Sequence, residues 1–368
     1  MIDDQENQKA VKLVADAGAD IGFSIMREAF AQAKHVHPHA FRDLSYVLAG
    51  RRVQMQIVGR KLAEFMDLPF AHLRLADTNP SAQGLAIELW DVDETSNSCR
   101  VGLTRGDLDL HPNLKRSPDG RYASYQLQHS LVCLDRISGL MIGYVSNAEE
   151  LSLYERGRPL HVPLSLWHKN QDMPLVHAGL VSKNGRGVLL AGPGGSGKST
   201  SAVMCALAGF DYLSDDLFGL ELSSDGSFVG HSLYNSTFME PDHLMRFSQL
   251  ERHAIRGRYS FEKKHLVLLS QIAALQFARC CRIHSIVLPR VLHRPASVLR
   301  RASKGETLMA LAPSSLLVGE RSYGVKGFSM LARLVEQVPC YWLELGGALD
   351  EIPRVLERLL SEVAIVET

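Results

Sequence analysis

The feature that most constrains this chain is Gly192-Pro193-Gly194-Gly195-Ser196-Gly197-Lys198-Ser199, which fits G-x-x-x-x-G-K-[ST] in full. The run Gly187-Val188-Leu189-Leu190-Ala191 before it predicts a buried strand. Thr200 to Ala208 predicts a helix, begun near Lys198 and closed by Gly209. A glycine-rich loop between strand and helix is the setting in which this motif has its chemistry. The glycines allow a tight turn and let successive N–H groups converge on a phosphate without Cβ obstruction. The helix N-terminus turns its positive dipole end toward the same anion. In such a loop the Lys198 ammonium reaches the β- and γ-phosphates, and the Ser199 hydroxyl ligates a bridging Mg2+. The expected ligand is a nucleoside triphosphate or another polyphosphate.

Ser214-Asp215-Asp216 lies within the next apolar run, Tyr212 to Leu222, which predicts a strand. Adjacent residues of a strand point to opposite faces, so the two carboxylates are expected to take different tasks. One can hold magnesium while the other accepts the proton of an attacking hydroxyl. Tyr212, Leu213, Leu217 and Phe218 make the segment core-like, and a buried carboxylate needs partners.

A length of 368 residues suggests two domains. Lys plus Arg number 40 and so do Asp plus Glu, which leaves no basic surplus for bulk binding of nucleic acid. No apolar run approaches the roughly 18 residues of a membrane-spanning helix. The acidic start Met1-Ile2-Asp3-Asp4 is the reverse of a secretory signal. Six scattered cysteines do not make a disulfide scaffold. These features predict a reduced, soluble, cytoplasmic protein with neither nucleic-acid nor membrane partners.

The polar, Pro-bearing stretch Tyr154–Pro159 marks the expected boundary, with a small α+β domain over 1–158 and the loop-bearing α/β domain over 159–368. In the first, Val11, Val14, Ile21, Ile25, Ala29 and Phe30 follow a helical period. Phe41–Gly59 predicts a hairpin turning at Ala49-Gly50-Arg51-Arg52, Arg60–Leu75 a helix and Leu85–Val92 a strand. Tyr122–Cys133 and Ile137–Val145 predict two further strands.

Val176-His177-Ala178-Gly179, the stretch Gly187–Thr200 and Gly209–Asp216 together resemble the catalytic core of the HPr kinase/phosphorylase-like serine kinases. The likeness is sharp over 174–220 and looser at Pro339–Gly346 and the terminal helix. It implies an α/β P-loop fold of the phosphoenolpyruvate-carboxykinase-like type, with ATP and Mg2+ as cofactors. It also implies Gly192 to Thr200 around the phosphates, Lys198 on them, and Ser199 and Asp216 on magnesium. Asp215 then matches the base that takes the serine proton, and His177 the histidine near the transferred phosphate. Thr200 stands where the best-known members carry glutamate, and an Arg-Gly-Leu-Gly run is replaced by Leu222–Val229, an ordinary hairpin. The implied activity is therefore a related kinase acting on a protein or peptide other than HPr.

Transfer of a phosphoryl group recruits a further cation. Lys263, Lys264, Arg290, Arg294, Arg300, Arg301, Lys304, Arg321 and Lys326 are candidates, with Arg321–Gly327 read as a flexible basic loop. His35, His37 and His39 suit zinc or nickel in type but lack further ligands nearby. Asp91-Val92-Asp93-Glu94 reads as a solvated strand end, and Cys280-Cys281 as packing residues after a helical run, Gln271–Ala278. Two other activities share the same motif: a nucleotide-gated assembly protein without transfer, and a small-molecule hydroxyl kinase. Homo-oligomerisation is left open by the sequence.

Overall fold

A computed structural model describes residues 19–76, 84–98, 113–316 and 321–366. They fall into two units. The first gathers the described residues up to Val47 with Arg51–Leu68 and Arg74–Asn170. The second holds Leu48–Gly50, Pro69–Leu73 and the described residues from Gln171 onward. The division thus lies at Asn170/Gln171 rather than at 158/159. The reason is the helix His161–Asn170, which packs on strands of the first unit and cannot be assigned to the second.

The first unit is built on a mixed seven-stranded sheet of β1 (Phe41–Leu48), β2 (Arg51–Val58), β3 (Leu85–Asp91), β4 (Leu114–Arg116), β5 (Tyr122–Gln126), β6 (Ser130–Asp135) and β7 (Leu140–Val145). The order is β1-β2-β3-β7-β6-β5-β4, with β2, β3 and β7 parallel and the β7-to-β4 side antiparallel. The stretch expected to be one strand over 122–133 is two, because Leu127–His129 turns between β5 and β6. Helix Ala19–Val36 buries Phe23, Met26, Ala29, Phe30 and Ala33 against Val58, Trp90 and Ile142. That spacing of three and four residues is one helical face. Val11 and Val14 lie outside the described residues.

Two polar clusters of this unit have residues with structural contacts. Asp91 is buried, and it accepts hydrogen bonds from the amides of Asp93, Glu94 and Ala148 at 2.9, 3.2 and 2.9 Å. It caps a short helix, Val92–Thr95, and is not a solvated strand end. His37 donates from Nε2 to the Thr95 carbonyl at 3.1 Å. Among the described residues no group of three His, Cys, Asp or Glu side chains is arranged to hold a metal.

The second unit is an α/β layer. Its strands are β8 (Leu175–His177), β9 (Gly179–Lys183), β10 (Arg186–Leu190), β11 (Asp211–Ser214), β12 (Leu217–Leu222), β13 (Phe228–His231), β14 (Ser236–Met239), β15 (Ala254–Ile255), β16 (His265–Leu268), β17 (Gln276–Phe277), β18 (Cys280–Arg294), β19 (Val298–Arg301) and β20 (Cys340–Gly346). Ten of them form one sheet, and β14-β16-β15 forms a separate one of three strands. The long strand β18 runs parallel to β10 on one side and to β20 on the other.

Side-chain alternation along these strands divides the core. Val188, Leu190 and Val287 face one layer with Ala202, Val203, Cys205 and Ala206 of helix Lys198–Leu207 and Ile352, Leu356, Leu359 and Leu360 of helix Glu351–Val366. Leu189, Ile286 and Leu288 face the opposite layer with Leu311 of helix Lys304–Leu316 and Leu331, Leu334 and Val335 of helix Arg321–Gln337. Each fully buried Leu, Ile or Val contributes roughly 1.5–3 kcal/mol, so this double-sided burial is what fixes the sheet.

Three local expectations are corrected here. Arg321–Gly327 is the start of a helix rather than a loop, continuous with the later turns of the same helix, which bury Leu331, Leu334 and Val335. Gln271–Ala278 is not helical: a 3-10 turn, Leu269–Gln271, leads to β17. β18 then opens with Cys280, which is exposed and not a packing residue, while Cys281 is buried beside Gly187, where an added Cβ would stand 2.6 Å from its Sγ. The five described cysteines are free thiols. No helix among the described residues is long and apolar enough to cross a membrane.

Candidate active site

The glycine-rich loop leaves the C-terminal end of β10 and enters helix Lys198–Leu207. Gly192, Gly195 and Gly197 have φ of 148°, 78° and 105°, a region that side-chain-bearing residues avoid. Gly197 is the residue before the helix, and an added Cβ would stand 2.5 Å from Cδ1 of Leu345 on β20. At Gly194 and Gly195, by contrast, an added Cβ would meet nothing within 4 Å. The loop crest is therefore open while its base is packed.

Lys198 is buried, and its Nζ donates to the carbonyls of Gly192 and Pro193 at 2.7 and 3.1 Å. Burial pulls the ammonium below the usual lysine range, and the negative charges of Asp216 and Asp215 oppose that pull. Ser196 Oγ is also buried and meets no hydrogen-bond partner among the described residues. Ser199 and Thr200 occupy the first helical turn, both half-buried. An open crest, a buried ammonium and an unsatisfied hydroxyl form a donor set suited to a polyphosphate.

The apolar run Tyr212–Leu222 is two strands, not one. β11 ends at Ser214 and β12 begins at Leu217, so Asp215 and Asp216 occupy a bend between them. Ser214 holds the bend: its Oγ donates to the Leu217 carbonyl at 2.9 Å and accepts from the Asp216 amide at 3.0 Å. The carboxylates go different ways because of this bend rather than by strand alternation. Asp215 is 3% exposed and accepts from Thr237 Oγ1 at 2.6 Å. Asp216 lies 2.7 Å from Nε2 of His177. The pairing of β8 with β12 sets Leu217 opposite His177, which carries Asp216 to the imidazole.

Lys198, Asp215, Asp216 and His177 thus assemble at one place, beside the loop residues Gly192 to Thr200. Sequence reading missed Thr237, which lies on β14 of the three-stranded sheet, and the role of Ser214 within the bend. Thr237 carries no local signal, since its partner is 22 positions away.

The candidate cations separate clearly. Arg290 donates to Glu344 at 2.6 Å and lies over the Trp342 ring, while Arg300 Nε is 3.3 Å from the same buried carboxylate. Arg301 lies over Tyr341. Lys304 Nζ donates to the carbonyls of Val335, Glu336 and Val338 and so closes the end of helix Arg321–Gln337. The side chains of Arg294 and Arg321 lie outside the described residues. Lys264 is the candidate whose charge bears on Lys198.

No family model matches the chain, and no curated protein matches it. Among solved structures, the Hpr(Ser) kinase/phosphatase from Coxiella burnetii is similar over 52% of this chain and 97% of that chain. The identity is 10% and the TM-score 0.28, a likeness too slight to support an argument about chemistry.

Proposed function

We propose that the protein is an ATP- and Mg2+-dependent kinase that transfers the γ-phosphoryl group to a serine-type hydroxyl on a protein or peptide. The reading includes a P-loop fold of the phosphoenolpyruvate-carboxykinase-like type for the second unit and a cytoplasmic setting. The observation that supports it is Lys198, held inside a glycine-rich strand-to-helix loop, together with two adjacent carboxylates that have different partners and whose charges act on that ammonium.

In this reading ATP with Mg2+ supplies the transferable phosphoryl group and the charge that offsets its oxygens. The loop amides and Lys198 orient the phosphates, and the low-dielectric surroundings of the buried ammonium strengthen that hold. Ser199 and Asp216 provide the protein oxygens for magnesium. Asp215, held by Thr237 Oγ1, would take the proton from the acceptor hydroxyl as the hydroxyl oxygen bonds to the γ-phosphorus and the bond from that phosphorus to the bridging oxygen of ADP breaks. His177, paired with Asp216, is placed to stabilise negative charge next to that attack.

Lys198→Ala is the direct test of the nucleotide site. It should lower affinity for Mg-ATP by a hundredfold or more, roughly the ~3 kcal/mol of a buried charge-assisted contact. Unchanged nucleotide affinity in that variant, measured by calorimetric titration, would remove the basis of the reading.

A further inference from the structure

We propose that the hairpin loop 256–264 of the second unit is a docking surface for an acidic segment of a partner protein, whose carboxylates meet the loop's cations while an apolar side chain covers the exposed ring of Phe261. The inference stands apart from the nucleotide reading, since none of these residues belongs to the glycine-rich loop or to the bend at Asp215 and Asp216.

The loop is fixed at its root and along its length. It joins β15 to β16, which pair antiparallel in the register Ala254↔Val267 and Ile255↔Leu266, and Leu266 and Val267 are wholly buried. Within the loop the Glu262 amide donates to the Tyr259 carbonyl at 3.0 Å, and the Lys263 amide donates to that of Phe261 at 3.0 Å. The first bond has the spacing of a β-turn and the second that of a γ-turn. The Glu262 carboxylate accepts from the amides of Arg258 and Tyr259 at 2.8 and 3.0 Å. A partner therefore meets a shape already formed, and less entropy is lost on binding.

What this fixed loop presents is an open ring and a surplus of positive charge. The Tyr259 and Phe261 rings stack with centroids 5.2 Å apart and 6° between their planes, and Phe261 is 68% exposed. Arg256, Arg258, Lys263 and Lys264 are exposed in the same loop, and among the described residues Arg256, Lys263 and Lys264 have no ion pair. The loop's one acid, Glu262, is turned onto backbone amides. Like charges crowded on one short loop repel each other, and an acidic segment laid against them removes that repulsion. With the loop's four cations and one acid set aside, the chain keeps 36 Lys and Arg against 39 Asp and Glu. The rest of the chain thus has no basic surplus to extend the loop into the run of phosphate contacts that holds a nucleic acid. A bilayer surface takes a broader apolar face than one exposed ring. Aromatic rings beside arginines are instead the composition found at the centre of protein–protein contacts.

The probe is a short fluorescent peptide of Asp and Glu around a central Leu, titrated with the full-length protein by anisotropy. Its controls carry Asn and Gln in place of the acids, or Ser in place of the Leu. The acidic probe should bind with an affinity that falls as salt rises, and each control should bind about tenfold more weakly. Phe261→Ser should weaken the acidic probe about tenfold, as should Arg256→Gln together with Lys263→Gln, while Phe261→Tyr should keep most of the affinity. Ile137→Ser removes an exposed apolar side chain of the first unit and should change nothing. Arg256→Glu together with Lys263→Glu should transfer the preference to a Lys-bearing counterpart of the probe. No binding of the acidic probe, equal binding of the amide control, or unchanged binding in the Phe261→Ser and Arg256→Gln/Lys263→Gln proteins would overturn the assignment. So would loop-dependent binding of a single-stranded oligonucleotide or of phosphatidylserine vesicles that is tighter than binding of the peptide. Thermal unfolding of each variant separates a binding effect from a folding one.

Discussion

Thr237 Oγ1 donates to Asp215 Oδ2 at 2.6 Å, and both residues are almost wholly buried, at 0% and 3% exposure. A buried carboxylate is tolerated only when its lone pairs are used, so the hydroxyl both stabilises Asp215 and sets the direction in which it points. The neighbouring Asp216 is directed instead by His177. One bend in the chain thus presents two carboxylates with separately fixed orientations, which is what the two roles assigned to them require.

Removing the hydroxyl while keeping the shape isolates that control. Thr237→Val should destabilise the protein by about 1–3 kcal/mol, the cost of an unsatisfied buried acceptor. Mg-ATP affinity should stay within about twofold, and phosphoryl transfer should fall by about tenfold or more. Thermal unfolding and transfer assays on the same preparation check both parts.

The base of the glycine-rich loop offers a second test. Gly197 combines a φ of 105° with the close approach of Leu345, so Gly197→Ala meets backbone strain and crowding together. Strain of this kind costs on the order of 1–3 kcal/mol. The variant should lower both the melting temperature and nucleotide affinity. Gly194→Ala, where an added Cβ meets nothing within 4 Å, should leave the melting temperature nearly unchanged.

His72 gives a pH prediction. Burial, with the charge of Arg279 adding to it, pushes its pKa down to about 3. Its ring also hydrogen-bonds Ser232 Oγ at 2.8 Å within the second unit. Between pH 3 and the unfolded value of about 6.5 the unfolded chain binds more protons than the folded one, so stability rises with pH across that window. The contribution is complete above about pH 6.5 and is lost as pH falls toward 3, at no more than about 1.4 kcal/mol per pH unit. Denaturant unfolding of His72→Gln at pH 7 and pH 5 should show a smaller difference between the two pH values than the parent protein shows.

The glycine-rich loop was legible from sequence because every part of it is local: strand, turn and helix follow within some twenty residues, and Gly192, Gly195 and Gly197 each take a positive φ. That the two carboxylates would point in different directions was legible too, although a bend between two strands, not strand alternation, is the physical cause. What escaped the sequence depends on pairing at a distance. Thr237 meets Asp215 only through the fold of the three-stranded sheet, and Arg290 meets Glu344 across 54 positions. Those long-range pairs also explain why the basic candidates could not be ranked from spacing. The domain boundary was missed because Tyr154–Pro159 is polar and turn-like, whereas the helix that decides the matter, His161–Asn170, begins just after it. At Arg321–Gly327 the glycines suggested a loop, and the segment is instead the start of the helix whose later turns bury Leu331, Leu334 and Val335.

The central claim is that Asp215 acts in transfer and not in nucleotide binding. The decisive measurement is transfer of γ-labelled phosphate from Mg-ATP into protein of the source lysate, with Asp215→Asn beside the parent and nucleotide affinity measured for both. The account predicts a labelled acceptor band with the parent and its loss by about a hundredfold or more in Asp215→Asn, at an affinity for Mg-ATP changed less than about threefold. Equal labelling by both proteins at equal nucleotide affinity would contradict it.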